Sequence, residues 1–231
     1  MEQFIRRFSI NCHSSIRCRC DSGTVLWFDP FRVVDAPHDG DVIFVTHDHY
    51  DHLSPEDIRR VMKPGAVIVL PETCVAAAVA AGFPPEQLLP VQPDGTYRVS
   101  GLAFETVPAY NINKKFHPAE NRWVGYVAVI DGKRIYVAGD TDDTPEARAV
   151  RCDVAFLPAG GTYTTTAAEA AALAGAIRPA LVIPTHYGSI VGKPSDAAAF
   201  AAALDSGINC VTLLKYADLI SQEIQSAEFR F

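Results

Sequence analysis

Residues 45–55, VTHDHYDHLSP, place three of the chain's seven histidines and two aspartates within the six positions from His47 to His52. A solvated turn needs polar side chains, but it does not need imidazoles at this spacing. The stretch leaves the apolar run DVIFV (41–45) and enters SPED (54–57), a helix-start pattern with Ser54 as N-cap, Pro55 first in the helix and Asp57 third. It therefore reads as a loop between the end of a buried strand and the start of a helix. In extended chain His47 and His49, two residues apart, turn their rings to one side. Asp51 and His52 are adjacent where the chain bends, and they diverge. One loop can then offer a histidine pair to one cation and an Asp–His pair to a second.

Further donors stand at other strand ends. The apolar strand in IYVAGDT stops at Asp140, that in LVIPTHYGS at His186, and that in LWFDP at Asp29. Asp140 has two oxygens and suits a bridge between two ions. Asp29 is expected to accept the free ring N–H of a ligand histidine. Imidazole and carboxylate without thiolate suit Zn or Mn, and also Fe, Co or Ni.

Outward from these positions, the 231 residues are 48% hydrophobic and 20% charged, an ordinary composition for a globular chain with a sizeable core. The formal charge of −7 argues against a general nucleic-acid binder, which normally shows a basic face. Six cysteines include no C-x-x-C pair, the start has no apolar signal-peptide core, and no run reaches membrane-span length. A reduced, cytoplasmic protein is expected, with Cys18 and Cys20 on alternate positions of a strand facing the core.

FIRRFSI and SSIRCRC read as strands, followed by TVLWFDP and DVIFV. After the cluster come a strand at 66–70, a helix at 73–82 opened by Thr73 and closed by Gly82, and a strand at 102–107. Residues 123–139 read as a hairpin turned by Asp131-Gly132. Strands at 153–158, 180–184 and 210–214 alternate with helices at 166–177 and 195–207, and the tail from 215 reads equally as helix or strand. Two packed sheets with helices outside, in one domain over 1–231, is the expected architecture.

HDHYDH matches the H-x-H-x-D-H signature of the metallo-β-lactamase fold, and strand-Asp140 and strand-His186 match its later motifs. More narrowly, NCHSS, FDP, VPAYN, FHPAENRWVGY, AGDTD, LPAGGTYT and PTHYG resemble the branch related to ascorbate-6-phosphate lactonases. The resemblance spans about residues 10–215 and implies an α/β (α+β) four-layer αββα sandwich with a metal site at one edge and hydrolysis as its chemistry. It implies one or two divalent ions, the first on His47, His49 and Asp140, the second on Asp51, His52, Asp140 and His186. Asp51 would also orient water. One departure stands out: VPAYNIN places Asn111 where the family often has a ligand histidine, and an amide is the weaker ligand. Either another histidine completes the first site, with His13 and His117 the spare candidates, or that half-site is loose. His13, in the HSS setting, is taken as a catalytic residue.

Tyr110, Asn111, His117, Arg122 and Tyr163 are expected to contact substrate, with Tyr187 nearby, and Lys114, Lys115 and Arg122 to attract an anion. AGGTYT (159–164) reads either as a backbone cradle for an anion or as a tight glycine turn. The expected function is hydrolysis of a small, anionic ester, lactone or phosphoester. The expected partner is a small-molecule substrate, with neither nucleic acid nor membrane, and the oligomeric state stays open. The alternatives are a nucleic-acid phosphodiesterase of the same superfamily and a non-catalytic metal-binding protein.

Overall fold

Strict two-residue alternation in short apolar strands builds two sheets back to back in the computed structural model, which describes residues 1–214. The ambiguous tail from 215 lies outside the described residues. The first sheet holds β1 (Phe8–Ile10), β2 (Ile16–Arg19), β3 (Val25–Phe28), β4 (Gly40–Phe44), β5 (Met62–Pro71) and β6 (Leu88–Val91), side by side in chain order. The second holds β7 (Thr96–Val99), β8 (Leu102–Pro108), β9 (Val124–Ile130), β10 (Lys133–Val137), β11 (Val154–Pro158), β12 (Leu181–Thr185) and β13 (Asn209–Cys210), again in order. Strands β3 to β6 are mutually parallel, as are β10 to β13, and the remaining pairs are antiparallel.

Leu26 and Phe28, Val42 and Phe44, Val154 and Phe156, and Leu181 and Ile183 point into the core between the sheets. Their neighbours Trp27 and Ile43 face outward onto α2 (Pro55–Val61) and α3 (Val75–Ala80). Ala155, Leu157 and Val182 face outward onto α4 (Pro145–Ala149), α5 (Ala167–Ile177) and α6 (Asp196–Ala203). The layers are thus helix, sheet, sheet, helix, the metallo-β-lactamase architecture. Each fully buried Phe, Leu or Ile contributes roughly 1.5–3 kcal/mol relative to exposure. Cys18 and Cys20 are buried in the inter-sheet core, and all six cysteines are free. No helix among the described residues is long and apolar enough to cross a membrane.

Several elements differ from the sequence reading. FIRRFSI is not one strand: one helical turn, α1 (Glu2–Ile5), precedes β1, and Arg6 pairs with Glu2 one turn back. Thr73 caps nothing, because its hydroxyl donates to the Asn121 carbonyl and the segment starts as a 3-10 turn over Glu72–Cys74. The last strand shrinks to Asn209–Cys210. Strands β6 and β7 were not anticipated, since Pro90 sits in one and polar residues alternate in the other, both on sheet edges where such residues are tolerated.

Candidate metal centre

The carboxyl ends of β3, β4, β10 and β12 meet along one edge of the seam between the sheets, the usual place for a ligand in parallel β-structure. Close backbone contact joins the two sheets there. Tyr126 on β9 donates its hydroxyl to the Val45 carbonyl at 2.6 Å, just before the histidine loop. At Gly139 (φ 66°), a Cβ would lie 2.9 Å from Thr46, so only glycine lets the end of β10 reach this seam. The next residue is Asp140.

Two groups of donor atoms result. His47, His49 and His117 form one, and His13, Asp51, His52 and His186 the other, each within the span of one ion's coordination shell. Asp140 lies between them. Its Oδ2 is 2.8 Å from His186 Nε2, 3.3 Å from His117 Nε2 and 4.0 Å from His47 Nε2, while Oδ1 is 3.3 Å from His52 Nε2. His13 Nε2 is 3.2 Å from Asp51 Oδ2. Both ring nitrogens of His13 and His186, Nε2 of His52 and His117, and Oδ1 of Asp140 are buried with no hydrogen-bond partner. So many orphaned polar atoms in one place would be costly unless a cation occupied the space they share.

Hydrogen bonds behind the rings fix which nitrogen is free. Asp29 Oδ1 accepts the Thr46 backbone N–H and Oδ2 accepts the Thr46 hydroxyl, both at 2.8 Å. The same Oδ2 accepts His52 Nδ1–H at 2.7 Å. With its proton directed to Asp29, Thr46 Oγ1 accepts from His47 Nδ1–H at 2.9 Å. Nε2 of both rings is therefore turned inward, as second-layer partners of a metal site require. His47 Nε2 and His49 Nδ1 lie 3.0 Å apart, close enough to share one cation.

Charge within the cluster is divided. Burial, reinforced by the adjacent His186 ring, pushes the His13 imidazole down to about 3. Burial and the neighbouring His52 likewise hold His47 well below the usual histidine range. For His52 burial acts in the same direction, but the carboxylates of Asp140 and Asp29 outweigh it and raise the ring well above that range. Burial would raise Asp140, but His186 and His52 hold it well below the ordinary carboxylate range. The carboxylates of Asp29 and Asp140 on either side of His52 make this corner attractive to positive charge, which a divalent ion bound at the cluster would supply.

Asn111 is not placed as a donor to this space. Its Oδ1 accepts from the His117 backbone N–H at 3.0 Å and from His117 Nδ1–H at 3.1 Å. Its Nδ2 donates to Asp142 Oδ1 and to the Tyr163 carbonyl. The amide thus holds the ring that stands where a third histidine was missing, and His117 Nε2 faces Asp140. The physical reason is reach: residues 111–117 loop over the strand ends, so position 117 arrives at the seam and 111 stays behind it.

The expected anion pocket is not assembled as anticipated. Arg122 has φ 54°, is exposed, and its side-chain hydrogen bond goes to Gln92. Lys114 Nζ is paired with Asp142 at 2.6 Å. The Tyr110 hydroxyl donates to Glu146 at 2.8 Å, and its ring lines a surface cavity of about 570 Å³ bordered by Asn111, Ile112 and Lys114 but by none of the histidines. Tyr163 stacks edge-on against Phe116 at 4.6 Å, and Tyr187 is buried. The AGGTYT segment is a tight turn in which the N–H groups of Ala159, Gly161 and Thr164 bond to carbonyls. Sequence reading missed Thr46, Asp142 and Trp123. The Trp123 indole lies 4.9 Å from both the His47 and His49 rings and walls off that side. The signal was present in the FHP-to-WVGY stretch, where the resemblance includes both His117 and Trp123.

The class follows from comparison with known proteins. Residues 6–187 match the family model of the beta-lactamase superfamily domain, and the chain belongs to this family. Within it, the chain is 32% identical over 177 residues to a UPF0173 protein of Pyrococcus furiosus, covering 73% of this chain and 78% of that one. It is 30% identical over 192 residues to a UPF0173 metal-dependent hydrolase of Methanopyrus kandleri, covering 77% and 82%. A crystal structure of a Parabacteroides distasonis protein superposes with a TM-score of 0.76 at 31% identity, covering 90% of this chain and 93% of that one.

Proposed function

We propose that this protein is a metal-dependent hydrolase of a small, anionic ester, lactone or phosphoester. The observation that carries the reading is the set of orphaned, inward-facing nitrogens and carboxylate oxygens gathered on either side of Asp140. His47, His49, His117 and Asp140 would hold one divalent ion, and His13, Asp51, His52, His186 and Asp140 a second, with Zn or Mn the best match to imidazole and carboxylate. Such an ion, when bound, supplies Lewis acidity and lowers the pKa of water from 15.7 to about 7 in favourable cases. The protein's own part is positional. Asp51, steadied by His13, is the carboxylate placed to orient the attacking water, and Asp29, Thr46 and Asn111 keep the rings in one tautomer.

Relatives named metal-dependent hydrolases support hydrolysis, and the motifs shared with ascorbate-6-phosphate lactonases support a small ring ester carrying a phosphate. The non-catalytic alternative drew its support from the apparent gap at Asn111, and His117 fills that gap. The net charge of −7 disfavours a polyanionic nucleic-acid substrate. A cytoplasmic location and a small-molecule partner complete the reading.

Protein prepared without chelator is expected to contain at least one equivalent of transition metal and to turn over ester or lactone probes only when loaded. Less than about a tenth of an equivalent, with no gain on adding Zn or Mn, would contradict the ligand arithmetic. Asn111→Leu, which removes the acceptor behind His117, is expected to weaken binding of one ion by about 10–100-fold and spare the other. Calorimetric metal titration reads this directly, and unchanged affinity at both sites would refute the orienting role.

A further inference from the structure

Beyond Asp29, the chain makes a turn that is pinned on several sides. Asn11 Nδ2 donates to the carbonyls of Phe31 at 3.0 Å and Arg32 at 2.7 Å. Buried Asp57, third in helix α2, accepts the backbone N–H groups of Arg32 at 2.8 Å and Val33 at 2.9 Å. Arg32 itself is held at φ 47°, a region long side chains seldom adopt, which needs such over-determination. Its guanidinium carbon lies 5.3 Å from the Phe31 ring centroid.

Phe31 connects this arginine to the centre. Its ring centroid is 6.2 Å from that of His13 and 6.0 Å from that of Tyr50, the exposed neighbour of Asp51. Among the described residues, the Arg32 side chain makes no ion pair or hydrogen bond, whereas Lys114 is committed to Asp142 and Arg122 to Gln92. A guanidinium over an aromatic ring with no ion pair of its own keeps N–H groups available for a bidentate grip on phosphate or carboxylate.

We propose that Arg32 is the specificity-determining residue that holds the anionic group of the substrate, with Phe31 and Tyr50 forming the wall beside it. This deepens the hydrolase reading and rests on it for where the scissile bond lies. The competing account is an arginine that stacks on Phe31 only to stiffen the turn. That account predicts a loss of stability and no selectivity for charge.

The test uses the zinc-loaded full chain and two hydroxamates that differ by one carboxylate, acetohydroxamate and the monohydroxamate of succinate, titrated by calorimetry. The carboxylate-bearing ligand is expected to bind about tenfold tighter to the wild type, as one well-placed charged hydrogen-bond pair allows. Arg32→Met should erase that advantage, Arg32→Lys should keep part of it, and Arg122→Met should leave it intact. Thermal melts confirm that each variant folds. Equal loss for both ligands, or a selective loss in Arg122→Met instead, overturns the proposal. A metal-free arm separates it from the hydrolase reading: inorganic phosphate should move the Arg32 Nε–H resonance without metal. Movement there with no hydroxamate binding on zinc would sink the metal reading and leave Arg32 standing. No movement of that resonance with any of these ligands removes Arg32 from the site.

Discussion

Asp140→Ala is expected to lower the hydrolytic rate by on the order of a thousandfold or more and to reduce bound metal to less than one equivalent. The expectation follows from position. Asp140 Oδ2 lies 2.8 Å from His186 and 3.3 Å from His117, and Oδ1 3.3 Å from His52, so one carboxylate serves both donor groups. Asp140 would help hold the ions whose positive charge offsets a developing negative centre, so its loss would remove several kcal/mol of stabilisation, and each 1.36 kcal/mol is about tenfold in rate. Asp140 is also one of the two carboxylates, with Asp29, that raise His52, so its removal weakens the pull that opposes burial at that ring. Asp140→Asn is the informative companion, because it keeps the shape and removes the charge. Elemental analysis and steady-state kinetics on the two variants settle the matter. Full metal content with a rate within tenfold of wild type would exclude a bridging role.

The loop at 45–54 and the strand ends were legible because local rules govern them. An apolar strand, a polar loop and a Ser-Pro helix start specify their order without long-range information, and Ser54 does bond to Asp57. The two-sheet sandwich was legible from strands that outnumber helices, and the continuous apolar runs of β3, β4, β11 and β12 have odd and even residues in different cores. His117 is one of two spare histidines that the sequence offers to complete the first site, and the choice between it and His13 is not readable there. The position of His117 depends on how residues 109–122 fold across the seam, which Asn111 and Asp142 decide through side-chain bonds invisible to periodicity. Arg122 failed as an anion ligand for a backbone reason: at φ 54° its side chain leaves the loop toward Gln92. Nearness in sequence to a site does not fix side-chain direction. Arg32 follows Asp29 by three residues, and its side-chain direction is equally unreadable from that spacing.

Gly160→Ala is expected to melt well below wild type and to lose activity, although no donor atom is removed. A Cβ at Gly160 would lie 2.0 Å from the His186 carbonyl oxygen and 3.3 Å from Val191 Cγ2. The obstacle is backbone rather than a flexible side-chain tip, so one of two segments must move. His186 cannot yield freely, because it stands at φ 56° and its N–H is bonded to the His13 carbonyl at 3.2 Å. Overpacking usually costs about 1–3 kcal/mol, and a clash with fixed backbone belongs at the upper end of that range or above it. For a chain of this size about 3 kcal/mol corresponds to roughly 6–12 °C in Tm. Any relief that moves the His186 carbonyl also moves the imidazole whose Nε2 faces Asp140. Gly161→Ala makes the contrast. Gly161 has φ 72°, but its Cβ would meet only Thr166 Cγ2 at 3.5 Å, so the cost there is the left-handed strain of about 1–2 kcal/mol without displacement of the ligand. Calorimetric melts with metal titrations on both variants distinguish the two effects. If Gly160→Ala melts within about 2 °C of wild type and binds metal normally, then the approach of residue 160 to His186 does not position that ring.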